Sequence, residues 1–161
     1  MKTIYFIRHA KSSWEAAISD HERPLNSRGF FDADNIGKAL KEKELKIDMV
    51  FSSSANRAET TARIVCENLE YPLSDIQFKK ELYDFNGDAV QNVIKSFSND
   101  FENVIIFGHN PAFSSLVNLY GTEIFYNLPT CGVVAISFSV NDWKQIEQGK
   151  TEFFIIPKDL R

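Results

Sequence analysis

The sequence predicts an α/β fold in three layers, α/β/α, with helices on both faces of a mostly parallel central sheet. Three observations carry this. Short unbroken apolar runs, such as residues 4–7 and 104–107, read as strands buried on both faces. Between such runs lie segments whose apolar residues recur at helical spacing. Strands that alternate with helices imply a layered fold around a parallel sheet. At 161 residues, without repeats, linkers or low-complexity segments, the chain reads as a single domain over 1–161.

Ile4, Tyr5, Phe6 and Ile7 form the first strand, which ends abruptly in Arg8-His9. Residues 11–26 are polar, with Trp14 as the one large apolar group, and read as a loop over the site. Within it, His21 in Asp20-His-Glu-Arg23 reads as a surface histidine in an exposed charged cluster. Asn26 or Ser27 can cap a helix whose buried face is Phe30, Ala33, Ile36, Gly37 and Leu40. Residues 47–51 are the second strand. With Ser54 as N-cap of the next helix, Arg57 is its third residue; Ala58, Thr61, Ala62, Ile64, Val65 and Leu69 supply the buried face. Tyr71-Pro72 ends that helix.

Residues 76–78 form a short third strand running toward Glu81. Asn86-Gly87 is a turn, and Val90, Val93, Ile94 and Phe97 make an amphipathic helix. Residues 103–107 are the strongest strand. Gly108 permits a tight turn, Asn110 can cap, and Pro111 suits the first helical position. A helix through Phe113, Leu116, Val117 and Tyr120 closes before Gly121, and 133–140 and 153–156 read as final strands. Asn141-Asp142-Trp143 and Gly149-Lys150 are turn-like.

The net charge of −4, with no basic block, argues against nucleic acid as a partner. No stretch approaches the ~18–20 apolar residues needed to span a bilayer. Arg8 interrupts the first apolar run too early for a signal peptide, so the expectation is a cytoplasmic protein with no membrane partner. Cys66 and Cys131 lack metal-ligand spacing and a neighbouring histidine, and read as buried, inert thiols.

The chemistry concentrates at strand ends, where open α/β sheets collect their ligands. Arg8-His9 sets a fixed cation beside a titratable nucleophile, a pair suited to chemistry on an anion. Ser52-Ser-Ser-Ala-Asn-Arg57 puts an arginine at a helix start, where backbone N–H groups already favour anions. Gly108-His109-Asn110-Pro111 repeats that geometry, and Glu81-Leu-Tyr-Asp84 adds carboxylates after the third strand. Lys11 and Ser12 either join an anion pocket or are solvated loop residues.

Taken in order, Arg8-His9-Ala10-Lys11-Ser12, Arg23-Pro24-Leu25-Asn26, Arg28-Gly29, Arg57-Ala58, Thr61-Ala62 and Gly108-His109-Asn110-Pro111 resemble the histidine phosphatase superfamily. Its fold is called phosphoglycerate mutase-like, and the resemblance is strongest to the short SixA-type phosphohistidine phosphatases. It spans the chain from the first strand to about Pro129. The wider superfamily has Arg-His-Gly where this chain has Arg-His-Ala, as many SixA-type members do.

The resemblance implies a phosphohistidine intermediate on His9, later hydrolysed by water. Arg8 and Arg57 can offer planar forks of donors to the phosphoryl oxygens, and His109, if protonated, adds a third cationic donor. Lys11, Ser12 and Asn110 complete the expected phosphate-binding set. His9 must present a neutral ring nitrogen, its tautomer set by a carbonyl or a carboxylate on the other nitrogen. Glu81 matches the proton-donor position loosely, with Asp84 and Asp88 as alternatives.

The expected substrate is phosphohistidine on a protein. The alternative is a small phosphorylated molecule, handled by a phosphatase or mutase of the same superfamily. Superfamily mutases usually carry longer insertions to bind sugar phosphates, and this short chain lacks them. A zinc site built from His9, His109 and a carboxylate is disfavoured because two arginines would repel the cation. A binding module without activity is disfavoured because all four principal site residues are present. No cofactor and no metal are expected.

Overall fold

In the computed structural model, which describes residues 1–15 and 17–161, six strands form one sheet in the order β3-β2-β4-β1-β5-β6. The strands are β1 (Lys2–Arg8), β2 (Met49–Ser53), β3 (Gln77–Lys79), β4 (Asn103–Gly108), β5 (Val133–Phe138) and β6 (Lys150–Ile155). The pairings β1–β4, β2–β4 and β2–β3 are parallel. β5 runs antiparallel to both β1 and β6. The loop expected over 11–26 is interrupted by a 3-10 turn at Asp20–Glu22, and Ala16 lies outside the described residues.

Alternate side chains along β1 and β4 feed two cores, as the pleat requires. Ile4, Phe6, Val104 and Ile106 pack under α3 (Asp88–Lys95) and α4 (Ala112–Tyr120). Tyr5, Ile7, Ile105 and Phe107 pack under α1 (Ser27–Glu42) and α2 (Asn56–Asn68). The result is the three-layer α/β/α arrangement expected from the alternation.

Asn26 caps α1, its side chain accepting from the Gly29 N–H at 2.9 Å. Phe30, expected on the buried face, is 49% exposed, because Gly29, Asp32 and Ala33 occupy the inward positions of that turn. A Cβ on Gly29 would collide with the Lys11 carbonyl, so glycine lets the loop lie directly on the helix. The N-cap of α2 is Ala55 rather than Ser54. Ser53 Oγ accepts from the Ala55 N–H instead, which moves Arg57 to the second helical residue.

The turn expected at residues 141–143 is present: Asp142 caps a 3-10 turn that carries the fully buried Trp143 indole edge-on to Phe97. One further expectation is corrected. β6 begins at Lys150, not Phe153, and pairs only with β5. As an edge strand it alternates exposed and half-buried residues, so it shows no unbroken apolar run.

Candidate active site

β1 and β4 lie in register, with Arg8 opposite Gly108. This places His9 and His109 side by side beyond the carboxyl ends of two parallel strands, ring centroids 5.2 Å apart. Ser53 ends β2, the next strand, and Arg57 rises from the first turn of α2. A pocket of about 380 Å³ opens here, lined by Arg8, His9, Lys11, Ser12, Trp14, Asp20, Arg23, Arg57, Phe85, Asn110 and Thr130. A larger groove of about 600 Å³, bordered by Lys41, Leu45, Leu69 and Tyr71, lies away from these residues and holds none of them.

His9 is 7% exposed and sits at the pocket floor. Its Nδ1 lies 2.7 Å from the Ala10 carbonyl, which can only accept, so Nδ1 carries the proton. Nε2 then presents its lone pair, and Arg57 Nε–H donates toward it at 3.4 Å. Of the two tautomer-setting groups anticipated, a carbonyl does the work. The Ala10 loop is itself held by Thr61, whose hydroxyl accepts from the Ala10 N–H and donates to the Arg57 carbonyl. Burial pushes the His9 imidazole down to about 3; the Ala10 bond opposes this, while Arg57, Arg8 and Arg23 add to it. The ring is therefore neutral at physiological pH.

His109 is almost wholly buried, with Nε2 2.8 Å from Ser53 Oγ and Nδ1 without a partner. Burial, then His9 and Arg57, push it down to about 2. It is therefore neutral rather than a third cation. Arg8 Nη1 donates to the Leu128 carbonyl at 2.8 Å, and its buried Nε has no partner. Burial and the nearby Arg57 lower the Arg8 pKa.

Lys11 is exposed at the pocket edge. Ser12 Oγ accepts from Arg23 Nη2. Asn110 lines the wall but directs its amide to Asn127 Oδ1 and the Leu128 carbonyl, while its Oδ1 accepts from the Ser114 N–H. It ties the 127–128 loop to the start of α4.

The carboxylates distribute differently from expectation. Glu81 is exposed on the 3-10 turn Lys80–Leu82 and does not line the pocket, because Leu82, beside it, takes the inward position. Asp84 accepts from the backbone N–H groups of Asn86, Gly87 and Val90, and Asp88 is exposed at the start of α3. Among the described residues the carboxylate lining the pocket is Asp20. It accepts from Arg57 Nη2 at 3.0 Å and Arg23 Nη1 at 2.9 Å, and the Tyr83 hydroxyl donates to it. Burial works against its charge, but the bonds from Tyr83, Arg57 and Arg23 prevail and hold the carboxyl at about 2.

The segment read as an exposed charged cluster is thus part of the pocket wall. Arg23 is 6% exposed, its guanidinium against the Trp14 ring. His21 is half-buried between Ser54 Oγ, at 2.9 Å, and the Tyr83 ring. The sequence signal was there in Asp20 and Arg23, spaced to meet across a single turn, but nothing in the order of residues said that the turn would fold inward. Both cysteines are buried with raised thiol pKa values, Cys66 up to about 12. Among the described residues no helix is long and apolar enough to cross a membrane.

Comparison with known proteins bears on this geometry. The protein histidine phosphatase SixA, in a structure complexed with tungstate, shares the fold with a TM-score of 0.83; it is 23% identical, with 99% of each chain covered. Phosphoglycerate mutase from Bacillus anthracis str. Sterne is more distant, with a TM-score of 0.63, 18% identity, and 90% of this chain and 95% of that one covered. An uncharacterized protein of Mycobacterium tuberculosis (strain ATCC 25618 / H37Rv) is 28% identical over 153 residues, covering 89% of this chain and 93% of the other. Residues 4–105, from the first strand through the Arg8-His9 end and Arg57 into β4, match the profile of the histidine phosphatase superfamily (branch 1), and the chain belongs to that family.

Proposed function

We propose that this protein is a phosphatase that works through a phosphohistidine intermediate on His9 and removes phosphate from phosphohistidine carried on another protein. The observation that carries this is His9 itself: a buried neutral imidazole with its Nε2 lone pair on the pocket floor, beside Arg57 and Arg8. Phosphoryl transfer needs positioning and charge stabilisation more than covalent machinery. His9 Nε2 attacks phosphorus in line. Arg8, Arg57 and the free Nδ1 of His109 donate to the equatorial oxygens. These guanidinium groups supply the positive charge, so the mechanism calls for no metal ion. Water then attacks phosphorus and releases His9.

Three features support phosphohistidine as the substrate. A departing imidazole can carry its own proton near neutral pH, since a histidine side chain ordinarily titrates at about 6.5. Among the described residues the pocket wall offers no carboxyl poised as an acid: Glu81 is off the pocket and Asp20 is held ionised. SixA, which shares the fold over nearly the whole chain, is a protein histidine phosphatase, and its structure carries an oxyanion, tungstate.

The test is phosphoryl labelling of the enzyme. His9→Ala should abolish turnover together with the acid-labile phosphate label; a label that persists in this variant removes His9 as nucleophile. Competition among a phosphohistidine protein, a phosphoserine peptide and small phosphomonoesters separates the proposed substrate from a small-molecule one.

A further inference from the structure

The mouth of the pocket carries groups that the phosphoryl-binding floor leaves unused. His9 lies at the floor, whereas the Asp20 side chain is 43% exposed. In-line displacement sends the leaving group away from the nucleophile, here toward the mouth. Asp20, Trp14 and Phe85 line that exit. A carboxylate and aromatic rings in one pocket wall are the chemistry that receives a flat cation.

We propose that Asp20, with Trp14 and Phe85 of the same pocket wall, forms a subsite for the protonated ring of a bound phosphohistidine and is a specificity-determining residue for phosphohistidine over phosphate esters. The proposal rests on the phosphohistidine reading above. In the step concerned, the His9 Nε2 lone pair forms the new bond to phosphorus as the old phosphorus–nitrogen bond breaks. The released electron pair stays on the substrate ring nitrogen. The proton already on the other ring nitrogen remains there, and the ring departs as neutral imidazole. Nothing is required of an enzyme acid. Asp20 acts earlier, by holding the bound ring in its protonated, reactive form. A dianionic ester meets the same carboxylate as a like charge.

Other groups face this carboxylate: Arg57 from α2, Arg23 beyond the 3-10 turn, Tyr83 after β3 and, deeper, Arg8, His9 and His109, with Lys11 at the edge. The two arginines already neutralise part of its charge. An unopposed anion at this range shifts a neighbour by about 1–3 units, so a shift near the lower end, about one unit, is expected.

The experiment measures single-turnover phosphorylation of His9 at saturating phosphohistidine peptide across pH, with p-nitrophenyl phosphate as the comparison substrate. The alkaline limb for the peptide should fall by about one pH unit in Asp20→Asn and return in Asp20→Glu. Above that limb the peptide should lose about tenfold relative to p-nitrophenyl phosphate. A limb that does not move, or equal losses on both substrates, overturns the proposal and reduces Asp20 to a positioning residue for Arg57. If instead the wild-type enzyme shows no preference for the peptide over p-nitrophenyl phosphate, the phosphohistidine reading itself falls.

Discussion

Arg57 makes three different contacts through one guanidinium. Nε faces His9 Nε2, Nη1 donates to the Asp20 carbonyl and Nη2 to the Asp20 carboxylate. Lysine carries equal charge on a single nitrogen and cannot reproduce that fork. Arg57→Lys should therefore lower kcat/KM on a phosphohistidine peptide by roughly 10²–10³, as for the loss of one preorganised donor. A rate within a factor of a few of wild type would mean that long-range charge suffices. That His9, Arg8, Arg57 and His109 come together at one end of the sheet was legible in the sequence, because each lies at a strand end or opens a helix. Asp20 and Tyr83 were not, because their meaning depends on a loop that folds back over α2.

Gly108 shows how an element sets the site. Its carbonyl accepts from the His9 N–H at 3.0 Å, and a Cβ there would stand 2.5 Å from the Phe113 ring. Phe113 is fully buried in the first turn of α4, edge-on to Phe6, and has little freedom to yield. Gly108→Ala should cost about 1–3 kcal/mol, the usual range for an overpacked core. It should also displace His109 from Ser53. Urea unfolding and phosphatase rate should fall together; a stable variant with reduced rate would place the strain in the His109 turn alone. The buried strands β1 and β4 are plain from their apolar runs, whereas the edge strand β6, half-solvated along its length, keeps a mixed pattern that hides its first half.

The whole molecule carries two buried neutral imidazoles, and this couples folding to pH. His9 and His109 fall from 6.5 to about 3 and about 2 in the folded chain. Below pH 6.5 the unfolded chain binds protons there that the folded one does not, so stability falls as pH drops. The contribution is fully present above about 6.5 and is lost progressively toward 3. Asp20, lowered from 3.8 to about 2, keeps its full contribution above that upper value and loses it only below, so the decline between 6.5 and 4 belongs mainly to the histidines. The urea midpoint should decline across it in wild type and decline less in His109→Gln; an unchanged slope would mean that His109 does not withhold protons. The layered α/β fold and the gathering of Arg8, His9, Arg57 and His109 at strand ends followed from the sequence alone, because apolar periodicity and strand termini are local properties. Tertiary structure decided which carboxylate reaches the pocket, the tautomer of His9 and the neutrality of His109. Those depend on groups brought together from distant positions, Asp20 with Arg57 and Ser53 with His109, and on a depth of burial that no local pattern records.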